Sequence, residues 1–286
     1  MTVTDSELIL LVFCLSFSVL VQDISLTHEY IGIITNQHYM VYFGMKNNFL
    51  TPMSNITHLT EEFYQQRQEA VDPSNSPEML EASYVGWSSV AVQLEAFEIA
   101  TNLSWINWDE NTSVLDVGCG YGRLLDFLIS RKSYQGKYSG IDIIPEFIEK
   151  AIQIHNNESE KTESQFLLGD FLEQTLDKEK FDVIICLGGL GVNQDYPEPV
   201  GQKSLEYAQK LISKIVHLST VAISLYFPNA DQILTTKRKP RMAYYKRSDI
   251  EKMLLDACGQ RCQDMKFNSY PTQKDRRTIV QVRLSN

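Results

Sequence analysis

Asp116, Gly118, Gly120 and Gly122 stand at alternate positions in the run SVLDVGCGYGRL. Glycines at that spacing leave a length of main chain bare of side chains, free to turn sharply and to be approached closely by a ligand. A helix that begins just after such a turn presents unpaired N–H groups and the positive end of its dipole. The chemistry this pattern serves is the binding of a nucleotide-type cofactor. Further acids stand where the same ligand could use them. Asp142 comes at the end of YSGIDII, 20 residues past Gly122, where a strand-end carboxylate can accept both hydroxyls of a ribose. Asp170 and Phe171 close FLLGDFLE, and Leu187 to Gly189 close FDVIICLGG.

These residues act together only if a sheet lines up the ends that carry them. From residue 113 onward, strand-like and helix-like runs alternate, which is the signature of a parallel sheet covered on both faces. The strands are expected at Ser113–Val117, Tyr138–Ile143, Gln165–Leu168, Phe181–Leu187 and Val221–Phe227. A last pair, Asp264–Tyr270 and Thr278–Leu284, reads as an antiparallel hairpin. Helices are expected near 122–132, 145–156, 201–217 and 247–258. The fold class is therefore α/β: a Rossmann-like doubly wound sheet of five parallel strands plus a C-terminal hairpin. Residues 57–112 read as a helical cover, broken by Pro73 and Pro77, with Trp87, Val90, Leu94 and Phe97 at helical spacing on its second helix.

The spacing of the glycines narrows the cofactor. A dinucleotide fingerprint, G-x-G-x-x-G, would need its last glycine where Arg123 stands; here the third glycine comes one residue early, at Gly122. The D-x-G-x-G-x-G run, with the acids at 142 and 170 in order after it, resembles motif I and the later motifs of the class I S-adenosylmethionine-dependent methyltransferases. The resemblance covers about Ser113 to Asn193 and implies the seven-stranded fold of that family, with residues 113–286 as the S-adenosylmethionine-binding domain. It implies a cofactor site of Asp116, Gly118, Cys119, Gly120, Gly122, Asp142, Ile143, Asp170, Phe171 and Leu187, with Asp170 taking the adenine amino group. Plainer roles stay open beside these. Asp116 could brace the turn, Asp170 could cap a helix, and Cys119 reads as a small filler with no neighbouring base.

Composition limits the partners. The chain has 286 residues, 43% hydrophobic and 22% charged, with a formal charge of −10. An acidic protein lacks the basic face that a phosphate backbone requires, so nucleic acid is not the expected partner. No Pro-Pro occurs and no cysteine follows a proline, which removes two routes of DNA base methylation in the resembled family. Five cysteines without framework spacing point to a reducing, cytoplasmic setting. The scattered histidines have no second ligand at metal spacing, so no metal is expected. The apolar run Leu8–Val21, within an extension over residues 1–56, is shorter than the ~20 residues of a membrane span and lacks a basic start. It reads as an upstream extension, with Met40, Met45 and Met53 as candidate starts, or as a packing helix; a membrane contact is the least favoured reading.

No catalytic residue can be named. Methyl transfer to a good nucleophile needs alignment more than acid–base chemistry, so a dedicated dyad is not required. Acceptor contacts are expected above the strand ends, from Tyr84 and Trp87, from Asn193, and from Tyr244 and Tyr245 within TTKRKPRMAYYKR. That segment carries Lys237, Arg238, Lys239, Arg241, Lys246 and Arg247 and no acid, which suits a small anionic acceptor, or else is a solvated loop. The expected function is methyl transfer to a small molecule; the competing one is a cofactor-binding but inactive regulatory subunit. The sequence leaves the oligomeric state open.

Overall fold

The computed structural model describes residues 30–31, 44–45, 55–155, 162–176, 179–270 and 277–285. The apolar run Leu8–Val21 lies outside them. The chain divides into two units, Met1–Thr51 and Pro52–Asn286. In the first, Tyr30–Ile31 pairs antiparallel with Gly44–Met45.

The second unit begins with helices α1 (Asn55–Glu69), α2 (Pro77–Tyr84) and α3 (Val90–Thr101). Ser76 caps α2 by accepting the Met79 N–H, and Pro77 sits in the first turn, where its missing N–H costs nothing. Ser89 caps α3 in the same way through Val92. The expected second helix is thus two, because the chain turns at Gly86 with φ +104°. Trp87 falls in that break and out of phase with α3. The buried face of α3 is Gln93, Ala96, Phe97 and Ala100, while Leu94 is 42% exposed, so the stripe expected through Leu94 is rotated.

Strands and helices then alternate: β1 (Ser113–Val117), α4 (Arg123–Lys132), β2 (Lys137–Asp142), α5 (Pro145–His155), β3 (Glu163–Leu168), β4 (Phe181–Cys186), α6 (Gln202–Leu218), β5 (Ser219–Pro228), α7 (Arg247–Cys258), β6 (Cys262–Tyr270) and β7 (Arg277–Leu284). They form one sheet of order β3-β2-β1-β4-β5-β7-β6. The first five strands in that order are parallel, and β7 runs antiparallel to both β5 and β6. The seven strands and the closing hairpin are those expected from the sequence.

The period-two alternation of β4 builds a core on each face. Ile184 and Cys186 pack with α6 and α7; Val183 and Ile185 pack with α3, α4 and α5. On α6, Ala208, Leu211, Ile212, Ile215 and Val216 recur at helical spacing and are buried. Each of the four larger aliphatic side chains, Leu211, Ile212, Ile215 and Val216, contributes about 1.5–3 kcal/mol by leaving water. The cover is fastened to the sheet through α3: Ser224 Oγ donates to the Ala100 carbonyl at 2.6 Å and Gln281 Nε2 to the Ile99 carbonyl at 2.7 Å.

Candidate functional site

The strand order reverses between β1 and β4, and a crevice outside the carboxyl ends of the strands opens at such a point. Here it is a cavity of about 530 Å³.

The glycine turn forms its floor. Gly118, Gly120 and Gly122 have φ of +77°, +55° and +73°, a region that side chains disfavour. Gly118 and Cys119 donate their N–H groups to the Ile141 carbonyl at 2.8 and 3.1 Å. A Cβ on Gly118 would lie 3.4 Å from the Gly188 Cα, so the turns after β1 and β4 pass glycine to glycine. A Cβ on Gly120 would lie 3.0 Å from Val85 Cγ1, under the cover. Gly122 differs from both. It lines none of the cavity, and a Cβ there would meet His155 Nε2 and Phe166 Cε1 at 2.8 Å. The early third glycine is a packing glycine that lets α4 start against α5 and β3.

Asp116 is 3% exposed and accepts the Tyr138 hydroxyl at 2.6 Å. Burial raises its carboxyl to about 7, against the lowering effect of that hydrogen bond. Asp142 is also buried; its Oδ2 accepts the Gly120 N–H at 2.9 Å and its Oδ1 the Ile144 N–H at 3.0 Å. Burial raises it to about 6, with the backbone donors opposing. Asp170 holds its own turn by accepting the Leu172 N–H at 2.9 Å, and it lines the cavity as well. The capping and ligand-facing readings of this residue are compatible.

Ile143, Phe171 and Leu187 line the cavity with the turn. Cys119 contributes its backbone. Its sulfur lies against the sheet, 2.9 Å from where a Gly140 Cβ would stand, and burial pushes the thiol well above its ordinary range. It is a filler, not a nucleophile.

The structure separates the expected acceptor residues. Trp87, edge-on to Phe97 at 5.9 Å, and Tyr244 line the cavity. Tyr84 does not; it packs beside Tyr121 and Phe147 in a small apolar cluster. Tyr245 is 1% exposed in the core under α6, next in an extended segment to Tyr244 and so on its opposite side. Asn193 is 1% exposed and structural: its amide donates to the Glu198 and Pro240 carbonyls at 2.7 and 2.8 Å.

Residues that the sequence did not single out complete the walls. Tyr64 on α1 packs edge-on to Phe147 at 5.4 Å, and Tyr207 comes from α6. Burial raises both phenols above their ordinary range; Asp142 adds to the effect at Tyr64, and Cys186 and Asp170 at Tyr207. Arg67 locks α1 over the site by donating to the Ser83 and Trp87 carbonyls at 2.8 and 3.0 Å. Arg241 pairs with Glu62 at 3.1 Å, and Arg123 pairs with Glu81 of α2. Of the basic segment, Lys237 and Lys239 stand at the cavity. Arg238 is turned aside onto the Ala230 and Ile233 carbonyls, and Arg247 lies over the Phe267 ring.

Residues 108–279 match the family model described as a methyltransferase domain, over more than half of the chain. The chain belongs to the class I S-adenosylmethionine-dependent methyltransferase family. A curated Mycobacterium tuberculosis protein, Rv1506c, whose name places it provisionally among methyltransferases, is 44% identical over 46 residues. That match spans 16% of this chain and 27% of the relative's length. Among solved structures, magnesium protoporphyrin IX methyltransferase from Synechocystis, crystallised with S-adenosylmethionine, aligns with a TM-score of 0.51 at 20% identity, over 79% of this chain and 92% of that one. An O-methyltransferase family protein from Burkholderia thailandensis aligns with a TM-score of 0.52 at 14% identity, over 72% of this chain and 60% of that one. At such identities the likeness to these methyltransferases is one of fold.

The cofactor of the family is S-adenosylmethionine, and the residues present fit it. Gly118 and Gly120 leave bare backbone along the floor, and strand-end carboxylates stand at 142 and 170. Among the described residues, no helix is long and apolar enough to cross a membrane.

Proposed function

We propose that this chain transfers a methyl group from S-adenosylmethionine to a small anionic acceptor by in-line displacement. The observation that carries the reading is continuity: the glycine turn, Asp142 and Asp170 line the same cavity as Trp87, Tyr244, Lys237 and Lys239. The volume lies in the range of small-molecule and cofactor sites. When bound, S-adenosylmethionine supplies a methyl group on a sulfonium, which is an excellent leaving group.

The protein's part is to hold and align. Asp142 keeps acceptor capacity for ribose hydroxyls while its backbone bonds fix it. Asp170 and the Phe171 backbone serve the adenine, and the bare backbone at Gly118–Gly120, with Leu187, takes the methionine portion. Alignment of this kind replaces acid–base catalysis when the nucleophile is already competent. A basic mouth on a protein of charge −10 favours a small anion over a polyanion, which would meet the acidic remainder of the surface.

Calorimetric titration with S-adenosylmethionine and its demethylated product tests the first half. Binding of neither would sink it. Labelled-methyl transfer to panels of small acids, amines, peptides and RNA tests the second: transfer confined to RNA or peptide overturns the small acceptor, and binding without any transfer favours a regulatory subunit.

A further inference from the structure

Beside its strand-end acids the cavity is lined by several hydrogen-bond donors. Among the described lining residues the only acids are Asp116, Asp142 and Asp170, and there is no histidine. All three belong to the strand ends at the turn. Asp142 has each oxygen on a backbone N–H, Asp116 takes the Tyr138 hydroxyl, and Asp170 fastens its own turn. The Cys119 thiol is folded against the sheet. The other polar lining groups include Tyr64 and Tyr207, whose hydroxyls have no hydrogen-bond partner among the described residues, Lys237 and Lys239, and the neutral amides of Gln93 and Gln194, none of which is a base at neutral pH. Burial keeps both phenols protonated, hence donors. An alcohol or an ammonium group entering here would have to shed a proton and would find nothing placed to take it.

We propose that the acceptor group is a carboxylate, which enters ionised, takes hydrogen bonds from the Tyr64 and Tyr207 hydroxyls, and is drawn in by Lys237 and Lys239. This deepens the methyltransferase reading and rests on it. One carboxylate oxygen gives a lone pair to the methyl carbon as the carbon–sulfur bond breaks, and that bond's electron pair stays on sulfur. The sulfonium becomes a thioether, the carboxylate becomes a neutral methyl ester, and no proton is released. Phenols, alcohols and ammonium groups each release one. Hydrogen bonds from neutral phenols to a charged oxygen are among the stronger ones in proteins.

The test offers aliphatic and aromatic carboxylic acids, phenols and primary amines to the full chain with labelled cofactor. It reads alkali lability of the product and proton release in weak buffer. Calorimetry with benzoate on the complex with demethylated cofactor gives a readout independent of turnover. The expected result is label released by mild alkali as volatile methanol, no proton per turnover, and benzoate binding weakened about tenfold or more in Tyr207→Phe at unchanged affinity for the demethylated cofactor. Lys237→Ala with Lys239→Ala should raise KM for the acid more than it lowers kcat. Alkali-stable products, or one proton per turnover, would overturn the carboxylate and leave the methyltransferase standing. So would a cofactor complex that neither binds nor methylates any carboxylate. Failure of the demethylated cofactor to bind would remove the underlying reading and this proposal with it.

Discussion

Asp142 Oδ2 accepts the Gly120 N–H at 2.9 Å, so one buried carboxylate ties the end of β2 to the middle of the glycine turn. The same group is the ribose acceptor of the proposed site, and its removal should act twice. Asp142→Ala is expected to lower affinity for the demethylated cofactor by about fivefold to 150-fold, the effect of about 1–3 kcal/mol of unpaired polar groups. It should also lower the thermal midpoint of the free protein. Calorimetry and a melting curve on one preparation check both.

Gly120 and Gly122 should fail in different ways. Gly120→Val places a branched side chain against Val85 in the lining of the proposed cofactor site, and should abolish cofactor binding. Gly122→Ala meets His155 and Phe166 behind the turn in a left-handed conformation. It should cost at least about 1–3 kcal/mol of stability while the folded fraction still binds. Urea unfolding paired with calorimetry separates the two outcomes; equal loss of binding in both variants would contradict the packing role of Gly122.

The buried acids set a pH dependence with an unusual sign. Asp116 and Asp142 are raised to about 7 and about 6 in the folded state, above the ~3.9 of an unperturbed aspartate. Between pH ~4 and ~7 the folded protein therefore holds protons that the unfolded chain has released, so their contribution to stability falls as pH rises through that window. Asp116→Asn keeps an oxygen for the Tyr138 hydroxyl and cannot ionise. Its stability relative to the parent should climb from about pH 4.5 to about pH 7.5, measured as the difference in urea midpoints.

Part-exposed ion pairs hold the cover, among them Arg241–Glu62, Arg123–Glu81 and Lys132–Glu98. Pairs of that exposure are worth about 1 kcal/mol or less. Arg241→Ala should therefore speed cofactor departure by up to about fivefold, and salt should shrink the difference. A stopped-flow chase with unlabelled ligand measures it, and an unchanged rate would mean that α1 does not limit release.

The parts of the site legible in the sequence are those governed by local pattern. β1, its turn and α4 are contiguous, and the strand-end positions of Asp142 and Asp170 follow from period-two runs that stop. The parts that were not legible depend on contacts far along the chain. Gly122 looks like one more ligand-facing glycine until Phe166 and His155, over 30 residues away, are packed behind it. Tyr244 and Tyr245 are equivalent by type, and only the pairing of Asn229 with Tyr245 decides which one enters the core. Tyr64 and Tyr207 lie on helices whose patterns give no sign that a cavity ends there. Leu94 matched a helical stripe whose phase was reset by the break at Gly86.

The buried Asn193 has a consequence for altering the acceptor range. Its side chain holds Pro240 and Glu198, its backbone N–H holds the Arg241 carbonyl, and Val192 pairs with Met242. The stretch after β4 and the basic stretch after β5 are thus a single cassette closed by one asparagine. Exchanging residues 229–246 alone for those of another scaffold would strand a buried amide, so a transplant of specificity has to carry 188–201 with it.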